Sequence, residues 1–144
     1  MSDQNKDVVR GCWEVANRHD ASGFDTYYDK DVVYHGGGSE DIRGRENVKA
    51  YLQGYLSAFP DIKLTIEDIF GEGDKVFSRA RMEGTNTGTL LGMPPTGKRV
   101  EIRWIMNVAR VANGKIVEEW EILDALEMMR QLGVVDVPTA ARTA

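Results

Sequence analysis

Asn113-Gly114 constrains this chain more than any other pair in it. A two-residue type I′ turn needs positive φ at both central positions, and Asn-Gly is the pair that tolerates this best. The runs on either side, Arg99–Val111 and Lys115–Asp124, are rich in β-branched and aromatic residues, so the spacing predicts two long antiparallel strands. The turn also predicts a register. With Ala112 opposite Lys115, Asn107 falls opposite Trp120, Ile105 opposite Ile122, and Arg103 opposite Asp124, all on one face. The other face carries Trp104, Met106, Val108, Val117 and Leu123, with Glu119 and Glu121 among them. Apolar residues on both faces predict that one lines a pocket and the other packs on a neighbour, such as a second subunit. A bulge in the hairpin would shift the register by one and exchange the faces.

Upstream, the pattern is helical first and stranded later, which points away from a doubly wound sheet and toward an α+β domain. Val9, Cys12, Trp13 and Ala16 share one helical face, which Ser2 or Asp3 is placed to cap and which ends near Asp20 and Gly23. A short helix over Ser22–Asp29 presents Phe24, Tyr27 and Tyr28, and Val32–His35 reads as a brief strand. Val48, Tyr51, Leu52, Tyr55, Leu56 and Phe59 make the clearest helix, stopped by Pro60. From Ile62 the period becomes two, through a turn at Gly71–Asp74 and a return strand over Lys75–Glu83. Gly84–Lys98, with Pro94-Pro95, is a long loop of the kind that forms rims or lids. A last helix from Ala125 to Leu132 stops at Gly133, leaving 134–144 as a tail outside a single domain of residues 1–133.

Composition narrows the chemistry. In 144 residues there are one cysteine and two histidines, with a net charge of −5. One cysteine makes neither a disulfide framework nor a thiolate zinc cluster. An acidic chain without a basic tract is a poor nucleic-acid binder. No apolar run approaches the roughly 20 residues of a membrane span, and Met1–Arg10 is too polar for a signal peptide. Zinc-ligand spacing, a nucleophile elbow and a dinucleotide fingerprint are all missing from the sequence. The expectation is a cytoplasmic protein in which ordinary side chains or a borrowed cofactor carry any chemistry.

Asp124 is the first candidate for that chemistry. It follows Trp120, Ile122 and Leu123, so burial would raise its pKa while Arg103 opposite would lower it, tuning it for general acid/base work. A cross-strand salt bridge explains the same pair. His35, at a strand end before Gly36-Gly37-Gly38, is the second candidate, whereas His19 sits in a polar stretch. Tyr27, Tyr51 and Tyr55 read as core residues whose hydroxyls reach the rim. The glycine run makes only a weak anion nest, lacking a lysine and a helix-capping pattern.

Ala58-Phe59-Pro60-Asp61, the loop from Thr87-Gly88 through Gly92-Met93-Pro94-Pro95-Thr96-Gly97, Asn113-Gly114-Lys115-Ile116-Val117-Glu118, and Gln131-Leu132-Gly133 occur in that order. Together they resemble the SnoaL-like polyketide cyclase family, from about Asp7 to Gly133. The resemblance implies a nuclear transport factor 2-like cone, with a curved mixed or antiparallel sheet wrapped by three N-terminal helices and a short C-terminal one. It implies intramolecular aldol cyclisation without a cofactor, and an acid/base carboxylate at Asp124. The cyclases carry a pocket histidine where Asn107 stands here, a pocket asparagine aligns with His35, and Ile105 replaces a further polar residue. The expected site is therefore Asp124 and His35 as catalytic residues, with Asn107, Arg103, Trp120, Ile105, Tyr51 and Met93 around an apolar or aromatic carbonyl substrate. Related isomerase or hydrolase chemistry, or a non-catalytic binding or dimerisation module, fits the same fold, and a homodimer or higher homo-oligomer is expected.

Overall fold

The computed structural model describes residues 2–36 and 38–136. Gly37 of the glycine run and positions 137–144 of the expected tail lie outside the described residues. Helix α1 spans Ser2–Asn17 and is followed by a 3-10 helix at Ala21–Thr26. Strand β1 (Tyr28–His35), the two-residue β2 (Ile42–Arg43) and helix α2 (Arg45–Ala58) come next. Strands β3 (Lys63–Glu72), β4 (Lys75–Thr85), β5 (Arg99–Ala112) and β6 (Lys115–Leu123) lead to helix α3 (Ala125–Leu132). One six-stranded sheet results, in the order β2-β1-β6-β5-β4-β3. It is mixed: β1 runs parallel to β6, and every other neighbouring pair is antiparallel. The α+β class and the cone-like architecture are as expected.

Two local expectations are corrected. The segment read as a helix over Ser22–Asp29 stops at Thr26, and Tyr28 already begins β1, where its ring is buried. The Asn113-Gly114 turn forms with φ of 52° and 75°, and Ala112 faces Lys115 as predicted. Beyond Val111↔Ile116, however, Val117 is an extra residue on β6, so Arg110 faces Glu118 and Asn107 faces Glu121. This bulge moves every later pair by one and turns the β6 side chains beyond it to the opposite face, while β5 keeps its own. Further irregularities between Ile66 and Asp68 and between Ala80 and Met82 bend the long strands, as bulges do.

The concave face is packed by the helices. Val9, Cys12 and Val15 of α1 are buried, and Asn17 clamps β3 by donating to the Leu64 carbonyl at 2.8 Å and accepting from its N–H at 2.7 Å. Helix α2 buries Val48, Leu56 and Ala58 and ends at Phe59, before Pro60. The loop after β4 is tied to that helix end by the buried Asn86. Its amide donates to the Ala58 and Gly88 carbonyls, while its oxygen accepts from the Thr96 N–H and hydroxyl. Four hydrogen bonds from one buried side chain fix a long loop that has little backbone ladder of its own.

Candidate active site

Between α1, α2 and the concave face lies a cavity of about 230 Å³. Most of its wall is apolar: Trp13, Phe24, Leu52, Leu56, Ile105 and Leu123 are representative. Its carboxyls and its amide converge on one patch formed by β1, β5 and β6, while Tyr51 and Tyr55 of α2 line the wall as well. Because of the bulge at Val117, Glu119 and Glu121 both point inward and both line the cavity, beside Asn107 of β5.

Every donor at this patch is used internally. The Tyr28 hydroxyl donates to Glu119 Oε1 at 2.6 Å, and the Tyr34 hydroxyl donates to Glu121 Oε2. Asn107 Nδ2 bridges the pair, donating to Glu119 Oε2 at 3.0 Å and to Glu121 Oε1 at 3.1 Å. Asn107 Oδ1 is buried and has no hydrogen-bond partner among the described residues. Glu119 is buried and Glu121 half-buried.

Two carboxyls this close in an apolar wall cannot both ionise freely. Burial, and then the charge of Glu121, push Glu119 up to about 8 against the opposing bonds from Tyr28 and Asn107. Burial also raises Glu121, opposed by Tyr34 and Asn107. The pair therefore carries a proton into the neutral range, with Glu119 as its holder and Glu121 as the ionised partner free to accept another. Tyr28, Tyr34 and the Cys12 thiol all have their pKa values pushed up, foremost by burial, so they act as neutral groups. Such a site can hold a hydrophobic compound and move a proton on and off it without a charged group entering the cavity.

A family model for SnoaL-like polyketide cyclases matches residues 6–132. The chain belongs to that family. IdmH of Streptomyces antibioticus, a candidate polyketide cyclase, is 34% identical, with 91% of this chain and 99% of IdmH covered at a TM-score of 0.78. AclR of Streptomyces galilaeus, a candidate hydroxylase, is 29% identical over 99% of this chain and 89% of its own, with a TM-score of 0.84. A SnoaL-like protein of Jannaschia shares the fold at a TM-score of 0.86 and 22% identity, covering 94% of this chain and 96% of its own. No curated protein matches the sequence.

In this SnoaL-like chain the expected site residues divide. Asn107, Ile105 and Tyr51 line the cavity. Asp124 does not: it is exposed and caps α3, its Oδ1 accepting the Glu127 N–H at 3.2 Å while its own N–H donates to the Trp104 carbonyl. The expected Arg103–Asp124 pairing is absent from the ion pairs of the described residues, because the bulge moves β6 out of that register. Arg103 is exposed, its guanidinium 5.0 Å from the Trp104 ring. Trp120 is on the convex face, stacked on His35 at 5.2 Å. His35 itself is clamped between Asp41 at 2.7 Å and Glu118 at 2.8 Å, and these bonds, Glu118 first, raise its pKa. Met93 packs against the core beyond the cavity wall.

Sequence reasoning missed Glu119, Glu121, Tyr28 and Tyr34. The turn register puts Glu119 and Glu121 on the face away from Asn107, among Trp104, Met106 and Val108, and the bulge at Val117 brings them inward. A faint signal exists in Asn107, a lone amide in an otherwise apolar strand stretch, since a buried amide needs polar partners. Among the described residues no helix is long and apolar enough to cross a membrane, and no cluster of three or more His, Cys, Asp or Glu could hold a metal ion.

Proposed function

We propose that the cavity performs acid/base chemistry, without a cofactor, on an apolar or aromatic carbonyl compound, with Glu121 and Glu119 as the proton-transfer pair. The observation that carries this reading is the pair of inward carboxyls bridged by Asn107 in an apolar cavity. Glu121 removes the proton α to the carbonyl, and the C–H electron pair moves through the new double bond onto the carbonyl oxygen. Glu119 stabilises that oxygen and gives it a proton. In a cyclisation, the enol carbon then attacks a second carbonyl of the same molecule, the enol O–H proton returns to Glu119 as the first carbonyl re-forms, and the proton held by Glu121 passes to the new alkoxide. Positioned acid and base groups of this kind supply roughly 10²–10⁴-fold, and a cavity that holds both carbonyls close supplies more. Asp124 and His35, the catalytic residues expected from sequence, are assigned structural roles: a helix cap and a surface clamp.

The experiment is deuterium incorporation into β-tetralone, an enolisable ketone fused to an aromatic ring, followed by proton NMR in heavy water. Exchange at the α carbon above the buffer rate supports the reading. Exchange no faster than buffer, for β-tetralone and a panel of aromatic polyketide esters alike, would favour a binding module.

We also assign the convex face to homodimerisation. Phe70, Trp104 and Ile122 stand 56%, 41% and 74% exposed there, next to Met106 and Val108. Light scattering at micromolar concentration reads the assembly directly, and a monomer contradicts it. The acidic composition and single buried Cys12 support a cytoplasmic setting.

A further inference from the structure

The polar patch of the cavity has an uneven inventory. Four hydrogen-bond donors, the Tyr28 and Tyr34 hydroxyls and both protons of the Asn107 amide, are spent on the two carboxyls. Left without a partner among the described residues is an acceptor, Asn107 Oδ1, on a cavity-lining side chain only 2% exposed. A buried acceptor left bare costs more than an ordinary hydrogen bond returns, so a ligand that supplies a donor there gains doubly. We infer that Asn107 Oδ1 is a specificity element that selects ligands presenting a hydroxyl donor on an aromatic or conjugated frame, such as a phenol or an enol. This inference rests on the cavity being the binding site proposed above and names the form of the ligand it prefers.

The size of the cavity and its lining agree with that choice. About 230 Å³ walled by Trp13, Phe24, Leu52 and Ile105 suits a small fused-ring frame, and both carboxyls and the Asn107 amide lie on one patch, which a single polar edge of the frame can meet. A hydroxyl matches the site better than an ammonium does. The carboxyl pair already carries a proton, and a cation would have to shed its hydration in an apolar wall. The chemistry connects as well. When Glu119 gives its proton to the carbonyl oxygen, the product is an enol O–H, and that hydrogen is the donor that Asn107 Oδ1 lacks. The keto form offers only an acceptor at the same place. Asn107 thus favours the enol over the ketone, and a site with a bare buried acceptor discriminates against isosteres without the donor.

The test is calorimetric titration of the full chain with three probes of one frame: β-naphthol, β-methylnaphthalene and β-naphthylmethylammonium. β-Naphthol is expected to bind about ten-fold more tightly than β-methylnaphthalene, and more tightly than the ammonium. In Asn107→Leu the two neutral probes should bind alike. Should that variant fail to fold, the wild-type complex with β-naphthol decides, through the position of the naphthol oxygen. An oxygen within hydrogen-bond distance of Asn107 Oδ1 supports the inference. Equal binding of the neutral probes, tighter binding of the ammonium, no binding by any probe, or a naphthol oxygen seated on Glu121 with Oδ1 bare or water-bonded, overturns it. The outcome is separable from the acid/base reading. A naphthol preference without β-tetralone exchange ends that reading alone, and exchange without the preference ends this one alone.

Discussion

Glu118 and Glu119 are neighbours on β6, yet they sit in opposite environments. Glu119 faces the cavity, is buried, and is pushed up to about 8 by desolvation and the charge of Glu121. Glu118 faces outward, where His35 first, and then Arg110, hold its carboxyl below the usual range. One residue type on one strand thus yields a proton carrier on the concave face and an ion-pair partner on the convex one. The alternation of side chains decides which is which, and the extra residue Val117 decides the alternation.

Breaking each side of that comparison should give unlike results. The largest effect expected is on turnover. Glu119→Gln should slow β-tetralone exchange by about 10²-fold or more, measured by NMR, whereas Glu118→Gln should leave the rate within about two-fold, since its side chain never meets the cavity.

Stability against pH should separate them by sign. The Glu119 carboxyl binds its proton more tightly in the folded chain than in the unfolded one. Its contribution is therefore full below about 4.5, declines as pH rises, and is gone above about 8. Glu119→Gln should abolish that decline and make the chain more stable than wild type in mild alkali, by a margin on the order of a few kcal/mol. Glu118, with its pKa lowered, contributes above its unfolded value and loses that contribution as pH falls through the folded one. Glu118→Gln should therefore lose stability at neutral pH, and the deficit should close in acid. Urea melts from pH 4 to 9 read both trends.

A smaller effect is expected at the helix cap. Asp124→Ala removes the acceptor for the Glu127 N–H and should cost about 1 kcal/mol in a urea melt, with exchange kept. The convex face offers a mild probe: Met106→Lys should shift a dimer toward monomer in light scattering while leaving exchange unchanged, because Met106 lies on the side of β5 away from the cavity.

Much of the architecture is legible in local sequence chemistry. Asn113-Gly114 specifies its turn because few pairs accept two positive φ values, and Ala125–Leu132 is framed by Asp124 and Gly133, a cap at each end. Tyr51, Ile105 and Asn107 line the cavity. The bulge is not legible, because nothing in Lys115–Leu123 marks Val117 as extra, and one added residue reverses every assignment after it. By the turn register Glu119 and Glu121 fall on the face away from Asn107, and the ordinary rule keeps carboxylates out of an apolar interior. The cavity breaks that rule at Glu119 and Glu121, and functional sites are where such violations belong. Gly36 shows the same limit. Read as a strand breaker, it lies so close to β6 that an added Cβ would sit 2.1 Å from the Glu121 carbonyl oxygen, a tertiary constraint invisible in one chain segment.

The central claim is that the inward carboxyls, and not the helix-capping aspartate, move the proton. Deuterium exchange into β-tetralone by Glu121→Gln and Asp124→Asn, side by side with wild type, tests it most directly. The account predicts that Glu121→Gln falls about 10²-fold or more while Asp124→Asn stays near the wild-type rate. Retained exchange in Glu121→Gln together with loss in Asp124→Asn would contradict it and return the chemistry to Asp124.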